Sequence, residues 1–243
     1  MPTFPDLALS VVIPAYNEEK NLPATMQRAL AALRKHVGTF EILVVNDCSR
    51  DRTGELADEF ARDNPEVRVL HNAQNLRQGG SLRRGFAEAR LPLVTHNAMD
   101  YPFDFDDLPT LLRHFVPAST PGERPADVVV AARRTYPGTS RPRRFVSWVN
   151  RTLIHVLFGS TVTDYNFIQI YRREVLGFPA ISDATSFITP EKIIRAHRKG
   201  LRVVEEVVDY HRREHGTPSS ANVKNIRRAL GDMGRLWWDL RGS

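Results

Sequence analysis

Tyr16-Asn17-Glu18 follows an apolar run, Leu9 to Ile13, through Pro14-Ala15, and Asn46-Asp47-Cys48-Ser49 follows a second run, Glu41 to Val45. Residues of these types bind rather than pack: a ring can lie on a planar base, and polar atoms can pair with a base or ribose. One carboxylate, Asp47, can accept from two neighbouring ribose hydroxyls in charge-assisted bonds. A strand-ending turn with a capping Asn and a solvated Glu would explain the first loop alone. The carboxylate in the second loop argues for more. Cys48 is the single cysteine and has no histidine beside it in sequence, which points to a small packed side chain rather than a nucleophile.

Further along stand Asn75-Leu76-Arg77-Gln78-Gly79-Gly80-Ser81 and the acidic group Asp100, Asp104, Asp106 and Asp107. Backbone amides at a glycine-rich helix start suit a phosphate or ribose oxygen. Arg77 either meets a diphosphate or is a solvated charge. The acidic group lacks the glycine and terminal glutamate of a calcium loop, and Pro102 with two phenylalanines is wrong for one. Asp106 and Asp107 read as the start of a helix over Leu108 to Phe115, where carboxylates favour the positive helix end. His211 and His215 have no convincing zinc partners.

These residues need elements to hold them. Apolar runs read as buried strands at Leu9–Ile13, Ile42–Val45, Val67–Leu70, Leu93–Thr95 and Val128–Ala131. They alternate with helical patterns at Leu22–His36, Thr53–Arg62, Gly80–Arg90 and Leu108–Phe115, an order that predicts a parallel sheet covered on both faces. In such a sheet ligands sit outside the carboxyl ends of the strands, where both polar loops fall. Asn21, with Pro23 in the first turn, is the expected cap of the first helix, and Asp51 or Thr53 that of the second. Pro117–Pro125 reads as a loop. Arg144–Phe158, Pro190–Lys199 and Asn222–Leu240 read as helices and Arg202–Val208 as a strand.

With 243 residues, 42% hydrophobic and 26% charged, the chain suits one large α/β domain. No stretch reaches the roughly 18 apolar residues of a spanning helix, and Met1–Asp6 lacks the features of a signal peptide. The expected location is cytoplasmic, or peripheral at the inner membrane face. A lone cysteine fits a reducing compartment. The net charge of +6 favours anionic partners: nucleotide diphosphates, lipid headgroups or nucleic acid. Nucleic acid is the poorest of these, because aromatic and basic residues form no recognisable module.

Pro14 through Glu18 and the Asp47-Cys48-Ser49 loop resemble the Pro-x-Tyr-Asn-Glu and Asp-Gly-Ser signatures of family-2 glycosyltransferases, especially dolichol- and polyprenol-phosphate mannosyl- or glucosyltransferase domains. The resemblance runs from about Leu7 to Ser219. It implies a GT-A type nucleotide-binding fold over 1–219, followed by a C-terminal amphipathic helix over 220–243. It also implies an inverting transfer of a hexose from a nucleotide sugar, GDP-mannose or UDP-hexose, to a polyprenyl phosphate or a small-molecule acceptor. Nucleotide contacts are implied at Pro14, Ala15, Tyr16, Asn17, Glu18, Asp47, Ser49, Asn75, Arg77 and Gly79. Diphosphate or acceptor contacts are implied at Ala98, Met99, Arg133 and Gln169, and catalytic roles at Asp100, Glu191 and Arg213.

The chain departs from the family pattern in several places. Cys48 and Arg77 stand where glycines are usual. Ala98-Met99-Asp100 occupies the Asp-x-Asp position, so only the second carboxylate remains to hold Mg²⁺ or Mn²⁺, with Asn97 or Asp104 as a second oxygen; the alternative is a metal-light site in which arginines neutralise the leaving group. Gln169, in the segment that closes over the sugar after Asp164-Tyr165-Asn166, replaces a basic residue. Glu191 has a bland alternative as a first-turn helix residue. A phosphate acceptor could attack without a base, whereas a hydroxyl acceptor would need Asp100, Asp104 or Glu191. In the tail, Val223, Ile226, Leu230, Met233, Trp237 and Leu240 recur at helical spacing, with Lys224, Arg227, Arg228 and Arg235 elsewhere on the wheel. That stripe suits a membrane interface or docking on its own domain. Arg141, Arg143, Arg144, Phe145 and Trp148 form a second basic-aromatic segment. A non-catalytic nucleotide-binding relative is the remaining alternative, supported by the lost first Asp.

Overall fold

Val, Ile and Leu runs too short for helices and buried on both sides form the centre of the fold, a seven-stranded sheet in a computed structural model. The structure describes residues 3–117, 122–134, 141–177, 187–209 and 223–241. The strands are β1 (Phe4–Ala15), β2 (Val37–Asn46), β3 (Val67–His71), β4 (Leu93–His96), β5 (Val128–Arg133), β6 (Gln169–Arg172) and β7 (Val203–Val208). Their order is β3-β2-β1-β4-β6-β5-β7. All pairings are parallel except those of β6, which lies antiparallel between β4 and β5.

Helices α1 (Leu22–His36), α2 (Thr53–Asp63), α3 (Arg77–Glu88), α4 (Leu108–Leu112), α5 (Arg141–Phe158), α6 (Arg173–Leu176), α7 (Ile188–Arg198) and α8 (Val223–Asp239) cover the sheet. Alternate strand residues serve opposite layers. Leu9, Val11 and Ile13 join the core with Leu22, Met26 and Leu33 of α1, whereas Val12 joins the core with Leu82 and Phe86 of α3 and with Ile154, Ile194, Met233 and Leu236. Gly85 of α3 sits so close to β1 that a Cβ there would lie 2.2 Å from Val12 Cγ1.

Several expectations need correction. Asn21 holds the cap position of α1, but its side chain donates to Glu18 Oε2 (2.7 Å) instead of capping. Arg52, not Asp51 or Thr53, holds the cap position of α2 and makes no side-chain cap; Asp51, one residue earlier, accepts from the amide of Thr53, the first helical residue, at 3.0 Å. Helix α3 begins at Arg77, not Gly80. Asp104 precedes a 3₁₀ turn (Phe105–Asp107) that leads into α4, and it accepts from the Asp106 amide. Strand β6 was not expected at all. Of the loop anticipated at Pro117–Pro125, residues 118–121 lie outside the described residues.

Candidate functional site

The loops after β1, β2, β3 and β4 open on one edge of the sheet, with β1 seated between β2 and β4. Four non-glycine residues with positive φ stand in or beside these loops: Asn17 (55°), Cys48 (60°), Arg77 (62°) and Tyr101 (50°). Such backbone costs energy outside glycine and persists only where surrounding structure enforces it. Cys48 and Arg77, at positions where the resemblance expects glycine, thus hold the left-handed backbone that glycine adopts most readily.

Asp47 is buried where the second and third loops meet. Its Oδ1 accepts from Asn72 Nδ2 and from the Leu76 amide, each at 2.7 Å, and its amide donates to Ala15 O (2.8 Å). Asn75 Nδ2 donates to Asp47 O, and Asn75 Oδ1 accepts from the Arg77 amide. Gly79 and Gly80 are buried in the first turn of α3, while Arg77 is exposed. Pro14 and Ala15 end β1 in register with Val45 and Asn46.

The first two loops are laced together. Ser49 Oγ accepts from the Asn17 amide, Asn17 Oδ1 from the Arg50 amide, and Thr53 Oγ1 from the Glu18 amide. Asn17, Glu18 and Ser49 therefore have a structural role that the sequence did not announce. Tyr16, 44% exposed, is the large apolar group left open to solvent beside Asp47's strand end.

After β4, the loop carrying Ala98, Met99 and Asp100 is tied down by Thr25 Oγ1 donating to Met99 O (2.6 Å). Asn97 donates to Phe103 O and accepts from the Ala98 amide, and Asp104 pairs with Arg28 at 3.1 Å. Among the described residues no cluster of three His, Cys, Asp or Glu side chains could hold a metal ion. This donor set, with Asp100 as its carboxylate, fits a hard cation only if diphosphate oxygens and water complete the shell.

On the far side of β4, Arg133 at the end of β5 grips Asp164 through two bonds, Nε to Oδ2 (2.6 Å) and Nη2 to Oδ1 (3.0 Å), with its guanidinium 5.1 Å from the Phe167 ring centroid. Gln169 is fully buried. It donates to Tyr165 O and its Oε1 accepts from His96 Nε2 (2.9 Å), which corrects the expectation of a ligand contact there. Burial lowers the His96 pKa and keeps the ring neutral. Glu191 is also fully buried and pairs with Arg195 (3.0 Å), which reaches Asp239 of α8. Its neighbour Lys192 donates to Leu176 O, and burial pulls its pKa down to about 8. Arg213 lies outside the described residues, as do His211 and His215.

The tail stripe docks in part on its own domain. Met233 and Leu236 of α8 are buried and Trp237 is partly buried, while Leu230 and Trp238 are exposed. No helix among the described residues is long and apolar enough to cross a membrane.

The sequence from 10 to 177 matches the family model for glycosyl transferase family 2. The chain is 30% identical over 216 residues to Undecaprenyl-phosphate mannosyltransferase of Micrococcus luteus, covering 84% of each. It is 29% identical to Undecaprenyl-phosphate 4-deoxy-4-formamido-L-arabinose transferase of Pseudomonas fluorescens over 93% of this chain and 64% of that protein. It thus spans less than two thirds of the second relative's length. Among solved structures, glucosyl-3-phosphoglycerate synthase from Mycobacterium tuberculosis, in complex with Mn²⁺, UDP and glucosyl-3-phosphoglycerate, superposes with a TM-score of 0.72 at 18% identity, over 96% of this chain and 81% of that one. That likeness establishes the GT-A fold.

Proposed function

The chain belongs to glycosyl transferase family 2, and on that premise we propose that it transfers a hexose from a nucleotide diphosphate sugar to a polyprenyl phosphate. The observation that carries the donor half is Asp47, a carboxylate with one oxygen fastened by two donors at the mouth of the sheet. The acceptor half is supported by relatives whose names carry undecaprenyl phosphate.

In this reading Asp47 accepts from the ribose hydroxyls and Tyr16 packs on the base. Asn17, Glu18, Ser49 and Asn75 keep the loops in place, and Arg77 with the amides at Gly79 meets the diphosphate. Asp100 would be the protein ligand of Mg²⁺ or Mn²⁺, which when bound would supply positive charge beside the leaving diphosphate. Ala98 and Met99 line its loop. An oxygen of the acceptor phosphate forms a bond to the anomeric carbon as the bond from that carbon to the donor diphosphate breaks. The nucleoside diphosphate leaves with the electron pair, and the carbon inverts. A phosphate monoester is already anionic, so no protein base is required. Arg133, oriented by Asp164, and Arg213 are assigned to acceptor phosphate. Glu191 acts through Arg195 rather than by touching substrate. Helix α8 packs on the catalytic domain, and its exposed Leu230 and Trp238 face a membrane surface at the cytoplasmic side.

The test is transfer from UDP- and GDP-sugars, with and without Mn²⁺, to polyprenyl phosphate in detergent and to 3-phosphoglycerate without it. Sugar on the lipid and release of nucleoside diphosphate would support the reading. Turnover on the soluble acceptor alone would overturn the lipid assignment. Nucleotide binding without turnover on either acceptor would favour the non-catalytic relative that Ala98 suggests.

A further inference from the structure

We propose that Asn72 and Arg84, two residues outside the sequence motifs, are positioning residues that set the direction of the Asp47 carboxylate; the inference rests on the donor-binding role proposed for Asp47. Asn72 is the first residue past β3 and is buried. Its Nδ2 donates to Asp47 Oδ1 (2.7 Å) and to Ser81 Oγ (3.0 Å), and its Oδ1 accepts from Arg84 Nη1 at 2.5 Å. Arg84 Nη1 also donates to His71 O (2.6 Å), which fixes the guanidinium against the end of β3.

An asparagine amide has two opposite faces, and turning it over exchanges a donor for an acceptor. Here the turned amide would set its oxygen against the Asp47 carboxylate and its NH₂ against the Arg84 cation, two contacts of like polarity. Arg84 therefore holds the Asn72 donor toward Asp47. Together with the Leu76 amide, this fastens Oδ1 to the third loop. Oδ2 has no hydrogen-bonding partner among the described residues and is left for a ligand. Hydroxyl recognition by a carboxylate depends on where its oxygens point, so a freely rotating Asp47 would bind the nucleoside more weakly.

Asn72→Ala, Arg84→Met and Arg84→Lys would be compared with the unaltered protein by calorimetric titration of UDP and GDP with Mn²⁺ and by donor kinetics. The expected result is that Asn72→Ala weakens the nucleoside diphosphate that the unaltered protein binds by about tenfold or more. Donor KM should rise by a larger factor than kcat falls. Arg84→Met should show the same split to a smaller extent, and Arg84→Lys, which keeps a cation and a donor, should recover most of the affinity. A loss of kcat and melting temperature alike with no preferential rise in KM, or equal losses in the Met and Lys variants, would overturn the inference. If Asn72→Ala does not fold, the two Arg84 variants decide. Absence of binding by the unaltered protein would refute the donor-binding reading itself and this inference with it, a result visible before any substitution is compared.

Discussion

Cys48, exposed rather than packed as its sequence context suggested, and Arg77 both carry side chains through backbone that favours glycine, at φ 60° and 62°. A left-handed non-glycine residue costs roughly 1–2 kcal/mol, so Cys48→Gly should raise unfolding stability by about 1 kcal/mol in denaturant titrations. Arg77→Gly should also relieve strain, yet remove the exposed cation proposed for the diphosphate, so its melting temperature should rise while nucleotide affinity falls. The metal belongs to the same scale. With Asp100 as the carboxylate of the donor set, Mn²⁺ alone should leave the thermal melting curve unmoved, whereas Mn²⁺ with a bound nucleoside diphosphate should shift it. A shift with the metal alone would show a preformed site.

At the scale of elements, α3 and the β1–β2 pair matter most. Gly85 lets α3 approach β1, and Gly85→Val would drive methyl groups into Val12 and Val45; overpacking of this kind costs roughly 1–3 kcal/mol or more. Toward the amino ends of the strands, burial would raise the Glu41 pKa, but bonds from Ser10, the Arg90 amide and Arg68 outweigh it and hold the carboxyl below its usual value. Folding then gains from an ionised Glu41 at neutral pH, and that gain is lost as pH falls through the unfolded value toward the folded one. Glu41→Gln should accordingly be less stable at pH 7 and lose less on acidification than the unaltered protein, as measured by urea midpoints from pH 7 to pH 3. Strands β1 to β5 were legible because each is an apolar run followed by polar punctuation, and α1 because its apolar residues recur on one face. Strand β6 was not, because Gln169 interrupts its run: only the fold reveals that His96 and Tyr165 satisfy that amide. The motif loops were legible as chemistry, but Asn72 and Arg84 were not. A buried amide after a short strand and an arginine on a helix carry no signal until the sheet brings them to Asp47.

For the whole molecule, the described part of the last helix belongs to the packed body. Met233 and Leu236 lie in the same cluster as Ile154, Ile193 and Val128, and Arg195 ties α7 to Asp239. Leu236→Ala should cost roughly 2–4 kcal/mol by cavity formation, whereas Trp238→Ala, at a position 77% exposed, should change stability little. Salt-sensitive binding to anionic vesicles that disappears in Trp238→Ala would support the membrane-facing assignment of α8. The central claim is that this sheet edge grips an activated sugar through its nucleoside. Its most direct test is calorimetric titration of UDP and GDP, with Mn²⁺, into the unaltered chain, Asp47→Ala and Asp106→Ala. Asp106 is an exposed carboxylate engaged by Lys35 and His36, away from Asp47's partners. The account predicts binding to the unaltered chain and to Asp106→Ala and none to Asp47→Ala; the same affinity in all three would contradict it.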